Sequence, residues 1–144
     1  MKIKSFRNKL ATGQQDTIRL STNQGKIGYK VVKFQLISPN PGTDACELVG
    51  KVYTRTQNSV DGAVNFANSE LLAVAYYEDN ISSHEGMGTV VIFDNVKINQ
   101  DIYVTVFDAS TNNIDTNYYL ELEQFNLSEN EATVATLKDM RGRE

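Results

Sequence analysis

The sequence predicts an all-β protein: a single-domain antiparallel β-sandwich, jelly-roll-like, of about eight strands. Three observations lead there. Residues 101–108 and 117–125 alternate polar with apolar side chains on either side of a run of Asp, Asn, Ser and Thr. Short apolar stretches recur at regular spacing between Asn/Asp/Ser/Gly turns. No segment of ten or more residues carries a convincing 3.6-residue period.

Taken in order, residues 1–13 hold Lys2, Lys4, Arg7 and Lys9 and no acid, and read as a basic N-terminal arm, with a solvated tail or a first strand of the sandwich as the alternatives. The sandwich domain follows over 14–139, with a short C-terminal tail at 140–144. Residues 16–21 form a short first strand. In 27–37, Val32, Phe34 and Leu36 share one face against Lys33 and Gln35. In 47–56, Leu48 and Val52 oppose Glu47, Lys51 and Arg55. Stretches 70–79 and 88–95 are apolar on both faces, as central strands are. Ile102, Val104 and Val106 point inward from 101–108; Leu120 and Leu122 do so from 117–125, with Glu121 and Glu123 outward. Residues 132–139 are a weaker last candidate, either a strand or a turn or two of helix. The pair Pro39 and Pro41 marks a loop, and 56–69 is the longest connection.

A chain of 144 residues buries a real core without staples. The apolar fraction of 40% and charged fraction of 22% are those of a globular domain. Net charge is −4, unevenly spread: residues 1–55 carry ten Lys/Arg and three Asp/Glu, and residues 56–137 carry one and thirteen. A basic arm on an acidic body follows. Nucleic acid is not an expected partner, because the acidic body repels phosphate and no basic-aromatic stripe interrupts it. Nor is a membrane: no apolar stretch approaches the ~20 residues of a span, and no apolar region follows the basic start as in a signal peptide.

Chemistry is sparse. Cys46 is the single cysteine, so no disulfide forms within the chain, and it reads as a small apolar side chain. His84, the single histidine, sits in the polar loop SSHEGMG, and no G-x-S-x-G elbow accompanies it. One His and one Cys fall short of a zinc set. Asp108, Asn112, Asn113 and Asp115 do not match calcium-loop spacing. Acids such as Glu78, Asp79, Glu121 and Glu123 are too numerous for any two to stand out as a glycosidase pair. The expectation is no catalytic residue, no cofactor and no metal. Binding surfaces are the alternative. Lys2, Lys4, Arg7 and Lys9 steer the arm while Ile3 and Phe6 anchor it, and outward Val49, Tyr53 and Phe107 suggest a homo-oligomer seam. Tyr53, Tyr76, Tyr77, Tyr103, Tyr118 and Tyr119 lie on or near strands, where an exposed coplanar row would suit a sugar.

The stretches TIRLSTNQGKIGYKVVKFQLIS, VNFANSELLAVA, VIFDNVKINQDIYVTV and NYYLELEQFNLSENEATVATLKDMR also have a likeness as a set. Nearly the whole chain resembles short virion-associated, capsid decoration or cement-like proteins of marine tailed bacteriophages. The resemblance implies a non-enzymatic protein made in the host cytoplasm, carried on the capsid surface and bound to the major capsid protein, self-associating most simply as a trimer. Two other roles fit the same features. One is a carbohydrate-binding sandwich at a head or tail fibre that touches a host-surface glycan. The other is a different tail or neck component.

Overall fold

Alternation along the chain is realised as two antiparallel sheets. The computed structural model describes residues 2–79, 87–93 and 96–142. Its elements are β1 (Lys2–Leu10), β2 (Gln15–Ile18), β3 (Ile27–Ile37), β4 (Cys46–Tyr53), β5 (Leu71–Asp79), β6 (Met87–Ile92), β7 (Ile102–Asp108), β8 (Thr116–Asn126) and α1 (Glu129–Gly142). One sheet has the order β1-β8-β3 and the other β2-β7-β4-β5-β6. An all-β sandwich of about eight strands is therefore what the chain forms.

A jelly roll is a long antiparallel hairpin rolled up, so its strands pair first with last, second with seventh, and so on. Here β1 pairs with β8, β2 with β7 and β4 with β5. The remaining pair is not made. β6 hydrogen-bonds to β5 instead of crossing to β3, which leaves five strands facing three.

Between the sheets lies the core, built from Phe34, Leu120 and Leu122 on one side and Val52, Ala73, Ala75, Ile102 and Val104 on the other. Small residues let the layers close. A Cβ on Gly50 would lie 2.7 Å from Leu36 Cδ2 and 3.0 Å from Phe34 Cζ. A second, smaller apolar cluster sits on the outer face of the five-stranded sheet. Tyr53, Leu71 and Val74 pack there with Phe93, whose ring meets Phe66 edge-on at 5.3 Å. This cover comes from the long 56–69 connection.

Three expectations need correction. Residues 2–10 are not an arm: β1 pairs along its whole length with β8, and Phe6 and Leu10 pack onto the core. The 132–139 segment, left open between strand and helix, is the middle of α1. That helix starts at a reciprocal cap, in which Ser128 Oγ accepts from Glu131 N and Glu131 Oε1 accepts from Ser128 N. It also takes in residues 140–142, which were expected to be tail. The first strand candidate closes early, at Ile18, because Asp101 Oδ1 then accepts the Leu20 and Ser21 N–H groups that a ladder would have used. No helix among the described residues is long and apolar enough to cross a membrane.

Candidate functional site

Chemistry-bearing groups on this chain are mostly spent on holding loops. Asp108 ends β7 with both carboxylate oxygens occupied. Oδ1 accepts from Glu47 N, Ser110 N and Ser110 Oγ, and Oδ2 accepts from Ile114 N. Burial pushes this carboxyl up, but those four donors outweigh it and hold it below the ordinary value. Asp101 behaves alike: burial raises it, while the Ser21 and Leu20 N–H groups bring it down further. Asp79 Oδ2 accepts from Gly42 N at 2.7 Å. Asp16 Oδ2 takes the hydroxyl of buried Tyr118 at 2.6 Å. Cys46 is pushed up to about 11, first by burial and then by the charges of Asp108 and Asp79, so it is a neutral thiol at physiological pH. Among the described residues, no three His, Cys, Asp or Glu side chains gather as a metal site. His84 lies outside the described residues.

What remains open is a seam. Unpaired β3 and β6 leave a crevice of about 820 Å³ that also reaches β1 and β8. Its walls include Arg7 and Lys9 of β1, Tyr118 and Tyr119 of β8, Gln35–Ile37 of β3, and Gly88 and Val90 of β6. Val90 pairs with inward-facing Ala75, so it points to the core side of its sheet, yet it is 45% exposed. The three-stranded sheet is too narrow to cover it. Ile37, at the end of β3, is 47% exposed. Two apolar side chains thus meet where, among the described residues, β6 and the Ile37 end of β3 have no further strand beside them; nearer its start β3 is bridged through Tyr29 to Ile98.

The structure divides the residues singled out from the sequence. Arg7 and Lys9 reach the crevice. Lys2, Ile3 and Lys4 lie at the far end of β1, opposite Gln124, Glu123 and Leu122. Lys4 Nζ lies 3.4 Å from the Tyr29 hydroxyl, Ile3 is exposed and Phe6 faces the core. Val49 and Tyr53, expected to face outward as contact residues, do point away from the main core, but their own chain buries them. Phe107 is half-buried beside them. A Cβ on Gly62 of the 56–69 segment would lie 3.3 Å from the Phe107 ring. The tyrosines form no single row. Tyr29, Tyr53 and Tyr118 are buried, Tyr119 lies on the three-stranded sheet, and Tyr76, Tyr77 and Tyr103 lie on the other.

Sequence reasoning missed the seam, because pairing partners are not written in alternation. The one local signal is the composition of β6, MGTVVI, which is apolar on both faces as if covered on both. No family model matches the chain, and no curated protein matches it. Among solved structures it is similar to a Bacteroides thetaiotaomicron protein described as a "putative glycoside hydrolase", at 14% identity and a TM-score of 0.33. The similarity takes in 81% of this chain, which spans 41% of that protein's length.

Proposed function

We propose that the chain is a non-enzymatic virion protein that decorates a phage head, binding the major capsid protein lattice as a homo-oligomer, with a trimer the leading stoichiometry. The observation that carries this reading is the open seam. Among the described residues, β6 and the Ile37 end of β3 each present an edge with no further strand, and an extended segment of a neighbouring chain completes such an edge with main-chain hydrogen bonds. Ile37 and Val90 offer that segment apolar contact, and Arg7 and Lys9 offer it positive charge. The use of buried carboxylates as loop staples and the neutral Cys46 thiol support binding rather than catalysis. The resemblance to virion proteins supplies the setting. Attachment at many lattice points makes weak single contacts sufficient.

Two measurements test it. Quantitative mass spectrometry of purified virions should find many copies spread over the head; a handful per particle would move the protein to the tail or neck. Ile37→Asp and Val90→Asp alter exposed positions, so melting temperature should hold while co-sedimentation with capsids is lost. Retained co-sedimentation would sink the seam as the attachment site.

A further inference from the structure

Lys51 is out of place for a lysine. It sits midway along β4, a central strand, between Val74 of β5 and Thr105 of β7. The 56–69 segment closes over it, and its side chain is 4% exposed. A buried ammonium needs acceptors for three N–H bonds. Two are supplied: the Ala63 carbonyl at 2.6 Å and Asp61 Oδ1 at 3.3 Å. The Tyr53 ring also faces this ammonium, its centroid 5.7 Å from Nζ, and no third hydrogen-bond acceptor is found among the described residues. Next to it Thr105 is 1% exposed, and its Oγ1 has no partner among the described residues either. An unsatisfied buried hydroxyl carries a cost that native structures rarely leave standing.

Both side chains line a cavity of about 180 Å³ between the sheet and the 56–69 segment. Asn65 and Asn68 line it too. Their carbonyl oxygens are already used, accepting from Ala67 N and Glu70 N at 3.0 Å each, which leaves the two NH₂ ends as donors. Lys51, Thr105, Asn65 and Asn68 therefore have hydrogens to give, while the Gln57 side-chain oxygen and the Ser59 hydroxyl on the same walls can accept. Asp61, at the rim and 63% exposed, is the acid here, and it already accepts from Lys51 and Ala63 N. The space exceeds the ~30 Å³ share of one water several-fold.

We propose that this cavity binds a small oxyanion, a carboxylate or phosphate group, with Lys51 Nζ, Thr105 Oγ1 and the amides of Asn65 and Asn68 as its donors. The site is independent of the seam and of the capsid reading. Charge-assisted donors in a partly dry enclosure are the usual means of holding such a group.

The test is titration of the full chain with sodium phosphate and with sodium acetate at constant ionic strength. It is followed by calorimetry and by amide shifts at Lys51 and Thr105, with sodium chloride as control. Saturable shifts with either anion are expected; phosphate alone would specify a tetrahedral group, and both would specify any carboxylate-like oxyanion. Asn68→Asp keeps the acceptor for Glu70 N–H but turns a donor into a negative charge, and should weaken binding by about tenfold. Asp61→Asn keeps the acceptor for Lys51 and Ala63 while removing the rim charge, and should tighten it. Thr105→Val, nearly isosteric, should weaken it about fivefold. No saturable response above chloride would overturn the proposal. So would equal affinity in the Asn68→Asp and Asp61→Asn proteins, since a cavity filled only by water is indifferent to both changes.

Discussion

Asp108 shows how a single carboxylate organises a whole loop. Four donors converge on it, three from the turn at 109–115 and one from β4, so the loop is wound around a charge. Because its folded value lies below the ordinary 3.8, its contribution is complete above that value and is lost as pH falls through the folded one. Asp101, shifted the same way, adds to the same acid limb. Stability measured by urea unfolding should therefore fall between about pH 5 and about pH 2. Asp108→Asn should lower stability at neutral pH by about 1–3 kcal/mol and flatten that acid dependence. An unchanged acid limb in the variant would remove Asp108 as its source. The sequence marks 108–115 as turn chemistry, and it is a turn. It does not say that Asp108, rather than Asp115, gathers the donors, because that depends on Glu47 arriving from β4.

Elements that were legible show either alternation or a short run apolar on both faces. β5 and β6 show the second and β7 and β8 the first; β3 alternates too, but a bulge between Val31 and Lys33 buries Val31 and exposes Val32, which alternation alone groups with Phe34 and Leu36. β1 shows neither, because its charges surround just two half-buried apolar positions, Phe6 and Leu10, four residues apart on one face. As the edge of its sheet it exposes a row of unpaired backbone groups, and lysines on such an edge discourage another strand from adding to it. Its basic character thus has a local reason. Replacing Lys2, Arg7 and Lys9 by Thr should leave the fold intact but promote concentration-dependent aggregation, visible by light scattering. Removing residues 1–10 should lower the melting temperature sharply, since Leu120 and Leu122 would lose their cover; an unchanged melting temperature would restore the free-arm picture. The helix hid for a different reason. Its Thr and Val residues favour strands, and Val134, Leu137 and Met140 face water instead of the body. The readable signal was Ser128 followed three residues on by Glu131. Ser128→Ala should cost about 1 kcal/mol and speed amide exchange through the first turn of α1.

Across the whole molecule, charge and architecture divide along the sheets. Lys30 and Lys33 of β3 join the cations of β1 on the three-stranded sheet, and Glu121 and Glu123 lie between the two strands on β8. Acids instead gather where β4, β5 and β7 begin or end, at Glu47, Glu78, Asp79 and Asp108. If the basic sheet steers attachment to an acidic lattice, the association rate should fall with salt while dissociation changes little, as surface binding kinetics would record. Five strands facing three leave surplus area on the inner face of the wider sheet, at Val90, while the 56–69 segment covers its outer face. That segment makes the molecule locally three layers thick. Its fastenings include Lys51 to Ala63 and Asp61, Gln57 N to Gln15 Oε1, Leu71 N to the Asn68 carbonyl, and Phe66 against Phe93. It forms an outer layer that the chain supplies to its own sheet, over Lys51 and Tyr53. Cut down to a tight turn, it would bare Val49, Tyr53 and Phe107 as a sticky strip, and the sandwich would have to find its third layer in a second molecule.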